Sequence, residues 1–313
     1  MAFNSKNPYR QFVAKIVRLA ETGKRLPLGG FPTPNKPAPI PGAPVALIFS
    51  PHPDDECITG GLALRLLREA GMSIINVAVT LGSDKKRRRA RLQELKNACA
   101  WLGFGLEETG LEKINPASLA ENPEHLCASV KAIAALLARH QPRAIIFPHE
   151  SDLHYTHIGT HFLVMHALKT LPRNFQTTLV ETEFWGQMES PNLMVESGAD
   201  DVADLVAALS FHAGEVRRNP YHLRLPAWMQ DNVRRGAELD GGSGQAAPDF
   251  TFATLYRLRR WNNGRAQYLF TGGRNIGASE NPDVIFNNRS AGGWPASFRN
   301  PSNSRAGRPR SEK

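Results

Sequence analysis

The stretch VALIFSPHPDDE at residues 45–56 decides how this chain folds. Its first six positions form an unbroken apolar run, as expected of a strand covered on both faces of a parallel sheet. The run passes directly into Pro51, His52, Pro53, Asp54, Asp55 and Glu56. Residues 60–71 then show helical spacing through Leu62, Leu66 and Leu67 and close at Gly71.

Outward from this unit the same alternation repeats. Ile74 to Leu81 is a second β-branched run, followed by a charged helical stretch from about Asp84 to Leu102 that stops at Gly103. A helix over residues 123–140 leads into a third strand, Arg143 to Pro148, with another helix starting near His157. Phe175 to Trp185 reads as a further strand, and residues 201–213 and 227–239 as helices. Strand and helix alternating in this way predict an α/β fold: a Rossmann-like, doubly wound, mostly parallel sheet with helices on both faces.

The expected organisation is an N-terminal helix and Pro/Gly-rich linker at 1–43, one domain at 44–270, and a basic, flexible tail at 271–313. Within residues 8–25, Phe12, Ile16 and Leu19 share a stripe while Lys15, Arg18 and Lys24 lie elsewhere. Two readings fit: the stripe packs on the parent domain, which is the commoner use of such a pattern, or it touches a membrane surface.

Composition narrows the class. The 313 residues are 41% hydrophobic and carry a formal charge of +9. The cations are scattered or gathered at Lys85–Arg91 and beyond Arg305, without a nucleic-acid recognition motif, so no specific nucleic-acid partner is expected. Cys57, Cys99 and Cys127 have neither the number nor the spacing of a disulfide framework or a cysteine metal knuckle. No apolar run approaches the ~20 residues of a transmembrane helix, nor does the N-terminus read as a signal peptide. A soluble, cytoplasmic protein is the expectation; oligomeric state is not legible.

Ligands of open α/β sheets bind beyond the carboxyl ends of the strands. The first strand ends there in His52-Pro53-Asp54-Asp55-Glu56 and the third in His149 through His157, so imidazoles and carboxylates from distant segments reach one sheet edge. Two histidines and a carboxylate describe a catalytic site for zinc or ferrous iron, which His52, Asp55 and His157 would supply. Asp54, beside a metal-bound carboxylate, would be a general base for water. A lone Asp-Asp-Glu would instead read as a helix-capping turn.

These motifs resemble the LmbE-like, or PIG-L, family of zinc-dependent N-acetylglucosaminyl deacetylases. The resemblance rests on Ser50-Pro51-His52-Pro53-Asp54-Asp55-Glu56, on Thr80-Leu81-Gly82, on Arg91-Leu92-Gln93-Glu94-Leu95 ahead of Leu102-Gly103, and on His154-Tyr155-Thr156-His157. It spans roughly residues 44–240. It implies a hydrolase that removes acetyl from an N-acetylglucosamine-containing substrate, or cleaves a related amide, through a metal-activated water. By position, His52, Asp55 and His157 look like the ligands of Zn2+, with Fe2+ the alternative. Asp54 looks like the base, protonated His154 like the oxyanion stabiliser, and Arg91 or Arg88 like a substrate contact.

One position departs from the pattern: the family's aspartate beside the second histidine is here Thr156. A hydroxyl does not stabilise an imidazolium as a carboxylate does, so Asp152 or Glu150 would have to substitute. This leaves a non-catalytic sugar- or nucleotide-binding paralogue as the alternative. The substrate expected is a small N-acetylated sugar conjugate, with an anionic one left open by Lys85 to Arg89. Gly60-Gly61 reads as a close helix–sheet contact, Trp185 as core in preference to a sugar platform, and His161 and His166 as ordinary packing or surface, in preference to a site-supporting or substrate contact for His161. Cys57 reads as facing the core.

Overall fold

The computed structural model describes residues 7–34, 40–184, 186–241, 244, 246–269 and 272–286. Among the described residues, nine strands form one sheet: β1 (Val45–Ser50), β2 (Ser73–Ala78), β3 (Gly105–Glu108), β4 (Ala144–Pro148), β5 (Thr177–Thr182), β6 (Leu193–Glu196), β7 (Ala253–Asn262), β8 (Arg265–Tyr268) and β9 (Arg274–Ile276). The helices are α1 (Tyr9–Gly23), α2 (Asp55–Ile58), α3 (Gly60–Arg68), α4 (Arg88–Leu102), α5 (Pro116–Glu121), α6 (Pro123–His140), α7 (Tyr155–Thr170), α8 (Ala199–Ser210), α9 (Ala213–Arg218) and α10 (Leu225–Gly241).

The strand order is β3-β2-β1-β4-β5-β7-β6-β9, with β8 paired to β7. From β3 to β5 every pairing is parallel. β7 then runs antiparallel between β5 and β6, so the sheet is mostly parallel with a mixed extension. The expected doubly wound fold is therefore present. The apolar run of β1 explains it: Ala46 and Ile48 pack with Leu62, Leu66, Leu95 and Leu205 of α3, α4 and α8, while Leu47 and Phe49 pack with Ile133, Leu137 and Leu163 of α6 and α7. All four β1 residues have no exposed surface, and truncating Phe49 to alanine would cost about 3–5 kcal/mol.

Gly60 and Gly61 set the distance between α3 and its neighbours. A Cβ on Gly60 would lie 2.3 Å from Leu205, and one on Gly61 2.9 Å from Thr254 of β7. Cys57 faces the core on this side, as expected. The helix foreseen from Asp84 begins at Arg88, because the Asp84 carboxylate accepts from the Lys86 amide at 3.0 Å and makes a turn there.

Two boundaries differ from the sequence expectation. The segment from 271, read as a flexible tail, continues the fold as far as Phe286 within the described residues. β9 pairs with β6, and Ile276, Ile285 and Phe286 join the core. The buried Arg65 guanidinium fastens it, donating to Gly277 O at 3.2 Å and Glu280 O at 2.6 Å. The Pro/Gly-rich linker is likewise anchored: Phe31 packs edge-on against Trp101 with ring centroids 4.9 Å apart, and Gly29 N donates to Ser210 Oγ at 3.2 Å. The stripe on α1 does not pack on the domain; no residue of that helix is buried.

Candidate active site

β1 lies between β2 and β4, so the chain leaves its carboxyl end in one direction and that of β4 in the other. The crevice between those ends is the topological switch point of the sheet. Residues 52–55 enter it from β1 and residues 149–157 from β4. A cavity of about 800 Å³ opens there, lined by His52, Asp54, Asp55, His154, Arg91 and Tyr221 among others. That size suits a small-molecule site.

The structure brings His52, Asp55 and His157 together. His52 Nδ1 is 3.2 Å from His157 Nε2, Asp55 Oδ2 is 3.4 Å from His157 Nε2, and His52 Nδ1 is 3.6 Å from Asp55 Oδ2. Donors about 2.0–2.1 Å from a tetrahedral ion sit about 3.3 Å from one another, so this donor set fits a divalent cation. The buried Asp152 carboxylate stands 3.5 Å behind His157 Nδ1, the arrangement that fixes the tautomer of a metal-ligating histidine. Burial acts to raise Asp55, but His157 and His52 hold its carboxyl below the ordinary value. Burial acts to lower His157, and Asp55 and Asp152 outweigh it. His154 is the third imidazole of the cluster, within 4.8 Å of the other two.

Asp54 stands at the junction of β1 and α2 with φ at 118°, a conformation few non-glycine residues adopt. Strain of this kind persists where surroundings over-determine it. Here Glu56 Oε2 accepts the Asp54 amide at 2.9 Å, and Arg91 Nη2 donates to Pro53 O at 3.0 Å. On the same loop Thr80 Oγ1 donates to Pro51 O at 2.8 Å. The Asp54 side chain accepts a hydrogen bond from the Tyr221 hydroxyl. Burial, reinforced by the charge of Asp55, raises its pKa to about 7.

His154 caps α7, its Nδ1 accepting from Thr156 N at 3.2 Å. Nδ1 is thereby an acceptor, and the proton of the neutral ring sits on Nε2. Burial, with His52 and His157 nearby, lowers its pKa. Of the proposed substitutes for the missing family aspartate, Asp152 accepts from the His154 backbone amide at 2.9 Å and faces His157, while Glu150 pairs with Arg257.

Arg91 and Arg88 both line the cavity, yet both are engaged. Arg91 holds the Pro53 carbonyl, and Gly82, with φ at 85°, gives it room: a Cβ there would lie 2.3 Å from Arg91 Nη1. Arg88 pairs with Glu112, and Arg87 with Glu215 at 2.5 Å. His161 packs on Phe147 and bonds Pro148 O at 2.9 Å; His166 packs on Phe162. Trp185 lies outside the described residues.

Three features were not read from the sequence. Tyr221, in a 3-10 turn at Tyr221–Leu223, reaches Asp54. Behind Glu56 lies His212, fully buried, with Nε2 2.7 Å from Glu56 Oε1. Glu56, Cys57 and His212 form a donor cluster, but Glu56 is committed to His212 and the Asp54 amide. Glu150, His161 and Glu181 form another, whose carboxylates are neutralised by Arg257 and Arg259.

Residues 47–168 match the family model described as PIG-L, GlcNAc-PI de-N-acetylase. The fold is similar to that of N,N'-diacetylchitobiose deacetylase from Pyrococcus horikoshii, with TM-score 0.52 and 16% identity over 84% of this chain and 96% of that one. The conserved protein TT1542 from Thermus thermophilus is similar at TM-score 0.52 and 19% identity, over 69% and 94%. So is GalB, the 4-carboxy-2-hydroxymuconate hydratase from Pseudomonas putida, at TM-score 0.51 and 16% identity, over 69% and 95%. No curated protein matches the chain by sequence.

Proposed function

We propose that this protein is a metal-dependent N-deacetylase acting on an N-acetylglucosamine-containing conjugate. The observation that carries the reading is the convergence of His52 Nδ1, Asp55 Oδ2 and His157 Nε2 within 3.2–3.6 Å of one another, beside Asp54, whose carboxylate accepts from Tyr221. The match of residues 47–168 to the PIG-L family model and the likeness in fold to a diacetylchitobiose deacetylase support it. The hydratase among the structural neighbours shows that fold alone does not choose the reaction.

His52, Asp55 and His157 would hold the ion, zinc in our reading and ferrous iron as the alternative with the same donors. Such an ion supplies Lewis acidity toward a carbonyl and a lowered pKa for water. Asp54, with Oδ2 bound by Tyr221, presents Oδ1 to take a proton from the attacking water and return it to the leaving amine. A base whose pKa lies near 7 is suited to both transfers. His154 donates Nε2–H to the oxygen that gains charge as the acetamide becomes tetrahedral. The products are acetate and a free amine.

Arg91 shapes the Asp54 loop, and Lys85 and Lys113 line the cavity with it. A conjugate carrying an anionic group would find its partners there. Metal analysis paired with acetate release from N-acetylglucosamine conjugates, on wild type and His52→Ala, tests the reading. About one equivalent of metal with acetate release abolished in His52→Ala is the expected result. Metal without acetate moves the site to another amide or to binding alone, and wild-type protein without affinity for metal overturns the proposal.

A further inference from the structure

Helix α1 presents an apolar stripe to solvent. Phe12 is 62% exposed, Ile16 51% and Leu19 72%, with Tyr9, Val13 and Val17 beside them, and no residue of the helix is buried. These side chains recur at intervals of three and four, so they share one face. Residues 9–25 contain five cations, Arg10, Lys15, Arg18, Lys24 and Arg25, against one carboxylate, Glu21. A helix of 15 residues is about 22 Å long and too short to cross a bilayer. A short helix with a strong apolar face, cationic elsewhere and only weakly apolar on average, lies in the plane of a membrane surface.

We propose that α1 anchors this protein to an anionic lipid surface, with its apolar stripe in the headgroup region and its cations among acidic headgroups. The chain's charge of +9 complements that partner. A second copy fits less well, since apposed α1 helices would bring two sets of cations together. The attachment also has an orientation. Gly23 packs so closely on Leu223 that a Cβ would lie 2.9 Å from its Cδ2, and Phe31 wedges against Trp101 and Phe211. Leu223 is two residues from Tyr221, which lines the cavity at the sheet edge, so the anchor sets the cavity rim beside the lipid surface. The inference does not rest on the deacetylase reading.

Co-sedimentation of the full chain with vesicles tests it. Vesicles of phosphatidylcholine containing phosphatidylserine should carry the protein down, and pure phosphatidylcholine should do so roughly tenfold less well. Phe12→Ser/Ile16→Ser and, separately, Lys15→Glu/Arg18→Glu should each weaken partitioning by about tenfold or more. Thermal melting should stay unchanged, because these side chains make no core contact. Wild type that stays in the supernatant with anionic vesicles overturns the proposal, as does sedimentation retained by Phe12→Ser/Ile16→Ser. So does a lipid-free dimer, seen by light scattering and abolished by that double variant, which would assign the stripe to a second copy.

Discussion

The Tyr221 hydroxyl hydrogen-bonds Oδ2 of Asp54 across 167 positions of sequence, linking the 3-10 turn beyond α9 to the strained residue after β1. The bond favours the ionised carboxylate, while burial and Asp55 favour the protonated one. Tyr221→Phe removes only the favourable influence. Asp54 then ionises at higher pH, and the acid limb of kcat/KM should move upward by about one pH unit or more. A pH–rate profile of the variant checks this; an unmoved limb would detach Tyr221 from the base.

Asp54→Asn keeps the shape of the loop and removes proton acceptance. Turnover should fall about 10²–10⁴-fold while metal content by elemental analysis stays that of wild type. Loss of metal together with activity would make Asp54 a ligand instead.

The buried pair of His212 and Glu56 contributes a pH-dependent part of stability. Burial opposes protonation of His212, but Glu56 outweighs it and raises the folded pKa above the unfolded value of about 6.5. The contribution is therefore complete below about pH 6.5 and disappears as pH rises through the folded pKa. Urea denaturation should show stability falling on the alkaline side, and His212→Gln should flatten that slope. Breaking the pair at acidic pH should cost about 3–5 kcal/mol.

Thr156→Asp places a carboxylate beside the His154 ring, whose pKa burial and two neighbouring imidazoles now depress. An adjacent negative charge favours the imidazolium, so the His154 titration followed by NMR should move to higher pH. If the imidazolium is the better oxyanion partner, turnover below neutral pH rises with it.

Much of this was legible in the sequence because strands buried on both faces write their environment as plain apolar runs. β1 and β4 could be found in that way, and being adjacent they bring His52, Asp55 and His157 together. β7 was not legible. Its run Arg257, Arg259, Arg260 reads as a solvated surface until Glu181 of β5 is seen 2.7 Å from Arg257 and 2.6 Å from Arg259. Neither partner announces the other across 76 positions. β9 was hidden for the same reason, since Arg65 holds the segment after it by backbone carbonyls that carry no sequence signal. In the site, Arg91 reads as a substrate contact by position, yet its guanidinium is engaged with Pro53. Tyr221 reaches Asp54 only through the packing of α8 and α9, which no local pattern encodes.

The placement of β7 between β5 and β6 bears on how the chain is made. On the ribosome, β1 to β5 emerge first and can assemble as a parallel sheet, but the outer edge of β5 stays uncovered until residues 253–262 follow. For that interval a wholly buried strand offers its backbone to any neighbouring chain. Vectorial synthesis thus leaves the nascent domain sticky at the edge that its last strands close, and a stop codon before residue 253 would leave it so permanently.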